Sequence, residues 1–280
     1  MEKSIFITGC SSGIGLVLAK GLQSRGHRVI ASCRSTEDVT RLTDMGLETL
    51  QMDVNDSTSI QSAFAEIAKR FSGTLDVLIN NAGYGQAGAL EDISREVMRA
   101  QFETNVFGLL EVSNHAIPLM RRQKSGRIIN ISSLLGIVSL PFRGAYNASK
   151  YAVEGITDTL RLELKAAGIE VIAIEPGPVA SNFRDSVVDR SLQAIDMKNS
   201  AFARQYRVML DSYKQKKSDS VLTKSPDAVL KKVVHAIEAR RPYPKYAVTL
   251  PAHLLMSARR ILSTKALSAL LAYISKKELS

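Results

Sequence analysis

Short apolar runs rich in Ile, Val and Phe alternate along this chain with longer stretches of helical periodicity. The first run, 4–8, leads through a glycine-rich turn into a helix over about 13–25. Further strand-like runs cover 28–34, 48–53, 76–80, 127–132 and 170–175. Between them lie helical patterns starting near Glu37 and covering 56–70, about 94–121 and about 145–167. Parallel strands need connections long enough to hold a helix, so six β-runs joined by five helices predict a parallel sheet. Helices on both faces of such a sheet explain why its strands are almost continuously apolar instead of alternating.

The pattern changes after Pro176. About fifty residues, 177–225, are polar, basic and weakly periodic, with Phe183, Phe202, Tyr206, Met209 and Tyr213 spaced through them. A long excursion of this kind reads as a functional lid. A helix over 226–240 then leads through Pro242 and Pro244 to a seventh β-run, 246–250, and two short amphipathic helices. With no repeat or linker, the expectation is one doubly wound α/β domain of Rossmann type over 1–280. It would have a seven-stranded parallel sheet, a lid over about 178–225 and C-terminal helices over about 252–280.

Composition narrows the class. Hydrophobic residues make up 45% and charged residues 23% of the 280 positions, the ordinary globular range. The net charge of +10 would by itself suggest nucleic acid or an anionic membrane. Residues 1–183, however, hold 18 Lys and Arg against 19 Asp and Glu, while 184–280 hold 19 against 8. The excess is wholly C-terminal, and no recognition helix or aromatic stacking platform accompanies it. His27, His115, His235 and His253 lack metal-ligand spacing, and Cys10 and Cys33 form no C-x-x-C pair, so no metal is expected. Without an apolar run of about 18 residues or a signal-peptide pattern, the chain reads as cytoplasmic.

Thr8-Gly9-Cys10-Ser11-Ser12-Gly13-Ile14-Gly15 joins the first strand to the first helix, where free backbone N–H groups and the positive helix end would meet a pyrophosphate. Gly9 allows the tight turn, Gly13 the approach of phosphate, and Gly15 close helix packing. Together with Asn80-Asn81-Ala82-Gly83 and Tyr146-Asn147-Ala148-Ser149-Lys150, this turn resembles the short-chain dehydrogenase/reductase family over residues 4–181. Within it, the chain is similar to bacterial aldehyde and ketone reductases related to the 17-beta-hydroxysteroid and retinol dehydrogenase branch. The resemblance implies a nicotinamide cofactor and a homodimer or homotetramer.

The second strand ends in Ala31-Ser32-Cys33-Arg34-Ser35, with no carboxylate for the ribose hydroxyls and with Arg34 able to fork onto a 2′-phosphate. NADP(H) is the predicted cofactor, with Ser11 and Ser12 adding hydroxyl contacts. The resemblance further assigns Asp53 and Val54 to the adenine, and Asn81, Ala82 and Gly83 to the adenosine side. Pro176 and Gly177 would meet the nicotinamide carboxamide, with Val179 and Ser181 close behind.

Hydride transfer to a carbonyl needs a group that protonates the developing alkoxide. Tyr146 and Lys150 are four residues apart, on one helix face, where the ammonium would lower the phenol pKa. By resemblance, Asn105 holds a relay water by disturbing its helix, Ser133 hydrogen-bonds the carbonyl oxygen, and Tyr146 is the general acid/base. Lys150 tunes Tyr146 and binds the ribose of the nicotinamide. Strand alternation turns Ser132 away from Ser133. Substrate would thus meet Ser133 and Tyr146, in a pocket with Tyr84, Gln86, Leu134, Leu135, Phe142, Arg143 and the lid aromatics.

These linings favour a hydrophobic aldehyde or ketone. Rival readings are an extended family member such as a sugar-nucleotide epimerase, and an NADP-sensing regulator that does no catalysis. The basic, apolar faces of the C-terminal helices would suit either packing or, less favoured, an anionic membrane interface.

Overall fold

A computed structural model describes residues 2–180, 183–214 and 222–279, except for the side chains of 183–186, 212–214 and 277–279. Seven strands form one sheet: β1 (Ser4–Ile7), β2 (Arg28–Cys33), β3 (Glu48–Gln51), β4 (Val77–Asn80), β5 (Gly126–Ile131), β6 (Ile169–Glu175) and β7 (Lys245–Ala247). Their order is β3-β2-β1-β4-β5-β6-β7, and every pairing is parallel. The order reverses between β1 and β4, which opens a crevice at the carboxyl ends of the strands, where doubly wound folds bind ligands.

The helices are α1 (Gly13–Gln23), α2 (Thr36–Asp44), α3 (Ser57–Arg70), α4 (Arg95–Phe102), α5 (Leu109–Arg122), α6 (Gly144–Leu164), α7 (Phe183–Ala194), α8 (Ala203–Lys214), α9 (Asp227–Glu238), α10 (Leu250–Ile261) and α11 (Thr264–Leu279). In β1, Ile5 and Ile7 pack with Leu18, Leu22, Val229 and Val233 of α1 and α9, while Phe6 packs with Ile60, Phe64, Val112 and Leu160 of α3, α5 and α6. Each strand residue thus has a core on its own side, which is why the run is apolar throughout. A polar chain crosses the second core. Asn80 Nδ2 donates to Ser113 Oγ and Asn130 Oδ1, both at 2.9 Å, and Asn130 Nδ2 donates to Thr157 Oγ1 at 2.8 Å. It fixes α5 and α6 on β4 and β5.

Three expectations change. The helix predicted over 94–121 is α4 and α5, joined by a π turn at Glu103–Gly108. A Cβ on Gly108 would lie 2.3 Å from the Val54 carbonyl oxygen, so the absent side chain lets this turn press onto the segment after β3. The weakly periodic 177–225 stretch contains α7 and α8, whose buried residues Val187, Ile195, Met197, Tyr206 and Met209 form a separate cluster over Ala87 and Ala89. Strand β7 ends at Ala247, not 250, because Thr249 caps α10 by accepting from the Ala252 N–H and Pro251 sits in its first turn.

Candidate functional site

The glycine turn is held from beneath. Gly9 and Gly13 have φ of +70° and +57°. A Cβ on Gly9 would stand 2.7 Å from Ala82 Cα, and one on Gly15 would stand 2.3 Å from the Gly9 carbonyl oxygen. Gly15 therefore lets α1 pack closely against the turn at the end of β1. Asn81 Nδ2 donates to the carbonyls of Thr8 and Gly9 at 2.9 and 2.8 Å, and Thr8 Oγ1 accepts the N–H groups of Asn81 and Ala82. Ile14, expected to meet the cofactor, is half-buried and packs against the core on the α1 side of the sheet.

Beside this turn lies a cleft of about 500 Å³ lined by Ser11, Ser12, Gly13, Leu16, Asp38 and Arg41. Arg34 is exposed at the end of β2, as its position in sequence suggested. Arg41 and Asp38 were not foreseen. Arg41 Nη2 donates to the Ser11 carbonyl at 2.6 Å and pairs with Asp38, whose backbone N–H is accepted by the Ser35 cap. The signal was available, since both sit on the first turns of the helix that begins two residues after Arg34. A cradle that admits no Cβ, a positive helix end and two arginines suit a nucleotide carrying an extra phosphate.

Asp53, just past β3, accepts the Asn55 N–H through Oδ1 at 2.9 Å, and Val54 meets the π turn. A Cβ on Gly83 would lie 3.0 Å from Asn105 Oδ1. On the other side, the Pro176 carbonyl accepts the Leu134 N–H at 2.9 Å, and a Cβ on Gly177 would overlap Thr249 Oγ1. Val179 forms an isolated bridge with Lys224, which joins the two ends of the 178–225 stretch. Ser181 lies outside the described residues.

Asn105, Ser133, Tyr146 and Lys150 arrive from the π turn, the end of β5 and the start of α6. The Asn105 side chain is fully engaged: Oδ1 accepts the Tyr84 N–H at 3.0 Å, and Nδ2 donates to the Tyr84 carbonyl at 2.9 Å and Ser149 Oγ at 3.1 Å. Ser133 hydrogen-bonds Tyr146 and accepts the Leu135 N–H at 3.1 Å, whereas Ser132 turns toward Glu154.

Burial pushes the Tyr146 phenol up to about 12, and the Ser133 hydrogen bond pulls it partly back. Burial brings Lys150 down to about 8, opposed by the Glu154 carboxylate. The Lys150 ammonium donates to the Ile131 carbonyl at 2.7 Å and lies 5.7 Å from the Tyr146 ring centre. Desolvation, not the lysine, dominates the phenol in this arrangement, which helix spacing alone does not convey.

An apolar cavity of about 670 Å³ adjoins the first turn of α6, lined by Leu90, Leu140, Pro141, Phe142, Asn147 and Phe202 among others. Phe142 has a left-handed backbone, φ +58°, and its ring packs edge-on against Phe202 and Tyr206 of the lid. Gln86, expected in the pocket, is instead buried and hydrogen-bonded to Ser191 of α7. The Arg190 guanidinium stacks 3.9 Å over the Tyr84 ring.

A profile of the family described as short chain dehydrogenase matches residues 3–191. The chain is 37% identical over 271 residues to an uncharacterized oxidoreductase, YbbO, of Escherichia coli (strain K12), covering 97% of this chain and 94% of that one. It is 33% identical over 258 residues to human 17-beta-hydroxysteroid dehydrogenase type 1, covering 88% and 77%. Among solved structures, a short chain dehydrogenase from Burkholderia cenocepacia in complex with NADP is similar with a TM-score of 0.75 at 23% identity, covering 96% and 97% of the two chains. At that identity the likeness shows the fold.

Proposed function

The chain belongs to the short-chain dehydrogenase family of oxidoreductases, and from that premise we propose that it reduces a hydrophobic aldehyde or ketone to an alcohol with NADP(H). The observation that carries the reading is the Ser133–Tyr146 hydrogen bond with Lys150 one helical turn on, facing a glycine cradle at the reversal of strand order. Bound NADPH would supply the hydride. Gly9, Ser11, Ser12, Gly13 and Gly15 would hold its phosphates, Arg34 the 2′-phosphate, Asp53 and Val54 the adenine, and Pro176, Gly177 and Val179 the amide end. The NADP in the Burkholderia structure supports this cofactor choice.

Ser133 would hold the carbonyl oxygen while Tyr146, protonated throughout the neutral range, delivers the phenolic proton to it. Lys150 stabilises the phenolate left behind, and Asn105 keeps the Tyr84 segment in place while its backbone anchors the returning proton path. Residues 178–225 act as the lid. The steroid named for the human relative supports a hydrophobic substrate; the apolar cavity beside α6 is lined by neither Ser133 nor Tyr146. Exposed Phe107, Tyr151 and Leu162 suit a homo-oligomer, and free, buried Cys10 and Cys33 suit the reducing cytoplasm. No helix among the described residues is long and apolar enough to cross a membrane.

The test is NADPH oxidation against a panel of aldehydes, ketones and sugars with wild type and Tyr146→Phe. Turnover should fall by about three orders of magnitude in the variant while NADPH still quenches or enhances fluorescence on binding. Near-normal turnover would remove Tyr146 from the chemistry.

A further inference from the structure

Beneath α6, on the far side of Lys150 from the phenol, lies a buried polar cluster that this reaction does not use. Ile131 pairs with Ile174, so the next residues, Ser132 and Glu175, are neighbours, and Ala247 pairs with Glu175 on its other side. Glu154, one turn after Lys150, reaches the same place. The position of a Cβ on Gly136 lies 3.0 Å from Glu154 Cγ and 3.1 Å from Ser132 Oγ. Glu175 is wholly buried and Glu154 nearly so, at 0% and 6% exposure. Lys245 Nζ donates to Glu154 Oε2 at 2.7 Å and to Asp158 Oδ2 at 3.1 Å. Glu154 Oε1, both Glu175 carboxyl oxygens and Ser132 Oγ have no hydrogen-bond partner.

Two buried carboxylates, of which only Glu154 is hydrogen-bonded to Lys245, cannot both stay ionised cheaply, because desolvation and mutual repulsion add. A proton on Glu175 removes one charge and supplies a donor where acceptors face each other. We propose that Glu175 is a positioning residue for Lys150: buried and neutral at neutral pH, it leaves Glu154 as the acidic side chain one helical turn from the ammonium. The inference rests on the carbonyl-reduction reading of the site above.

The groups facing Glu175 are Glu154 and Asp158 from α6, Lys245 from β7 and Arg260 from α10. Burial first, and then the Glu154 charge, push Glu175 up to about 8, against the pull of Lys245 and Arg260. Its proton therefore leaves in the range where Lys150, itself near 8, begins to lose its own. The second negative charge arrives as the ammonium starts to neutralise, and it extends the range in which Lys150 stays charged. The pair acts as a local buffer of the lysine.

Infrared difference spectroscopy of the full chain reads the proton directly. A protonated-carboxyl carbonyl band should be present near pH 7, disappear on titration through about pH 8, and be missing in Glu175→Gln. It should persist in Tyr146→Phe, since it does not depend on turnover. In Glu175→Gln the ratio of kcat/KM near pH 9 to that near pH 7 should fall about fivefold, the equivalent of one pKa unit at Lys150; Glu175→Asp should restore part of it. If Glu175→Gln does not fold, the wild-type band alone decides. No protonated carboxyl near pH 7, or an unchanged pH ratio in a folded Glu175→Gln, overturns the acid pair. Full turnover by Tyr146→Phe, with the band intact, would overturn the reaction instead.

Discussion

The Asn105 amide hydrogen-bonds both backbone groups of Tyr84, the N–H at 3.0 Å and the carbonyl at 2.9 Å, and so acts as a missing strand residue for the segment after β4. Asn105 is 1% exposed and also donates to Ser149. Asn105→Ala should therefore lose about 3 kcal/mol of stability, from three broken bonds and the backbone groups left buried. Chemical denaturation checks this, and a loss below about 1 kcal/mol would mean that water replaces the amide.

In the proposed reaction Lys150 should set the alkaline limit. Burial lowers it to about 8, so its cationic form is complete well below that pH and declines above it. The phenol, held up near 12, remains protonated across the same range. kcat/KM for carbonyl reduction should be level through neutral pH and fall above about 8, and Lys150→Met should abolish the level region. A profile still rising at pH 9 would assign the limit to a different group.

The two arginines of the cofactor cleft should behave differently. Arg34 is exposed just past β2, and as the proposed partner of a 2′-phosphate its replacement in Arg34→Ala should raise the KM for NADPH about 10- to 100-fold and leave NADH almost unchanged, the worth of a charge-assisted contact. Arg41 braces the Ser11 carbonyl, so Arg41→Ala should weaken both cofactors. Titration with 2′,5′-ADP and 5′-AMP separates the cases, and equal losses for both ligands in Arg34→Ala would reject the phosphate assignment.

Tyr206 fastens α8 to the segment after β4. Its hydroxyl accepts the Ala89 N–H at 2.8 Å and donates to Asp92 at 2.7 Å from an almost fully buried side chain. Tyr206→Phe strands a buried N–H and should cost about 1–3 kcal/mol. In kinetics it should raise KM for a hydrophobic carbonyl more than it lowers kcat, and a pure kcat effect would place Tyr206 nearer the chemistry.

Alternation of apolar runs and helices made the sheet legible, because buried parallel strands and their crossovers leave a pattern in the residues themselves. The glycine turn was legible for a similar reason: Gly9 and Gly15 occupy places that no Cβ could enter. What stayed hidden depends on contacts far apart in sequence. The helix disturbance at Asn105 was implied only by the family resemblance; nothing local in Gln101-Phe102-Glu103-Thr104-Asn105 announces a π turn, nor that Gly108 would press on Val54. Gln86 looked like a pocket residue until Ser191, over a hundred positions later, claimed its amide. Glu175 read as the end of a strand, and its burial against Glu154 needed the third dimension.

The Asn81 amide clamps the Thr8 and Gly9 carbonyls, while Thr8 Oγ1 takes the amides of Asn81 and Ala82. The glycine turn and the start of the 81–84 segment are thus one part, although seventy residues separate them. Anyone exchanging cofactor preference by transplanting the turn from another chain must carry its Thr8 and Asn81 along. A graft of residues 9–15 alone would arrive without the residues that hold its shape.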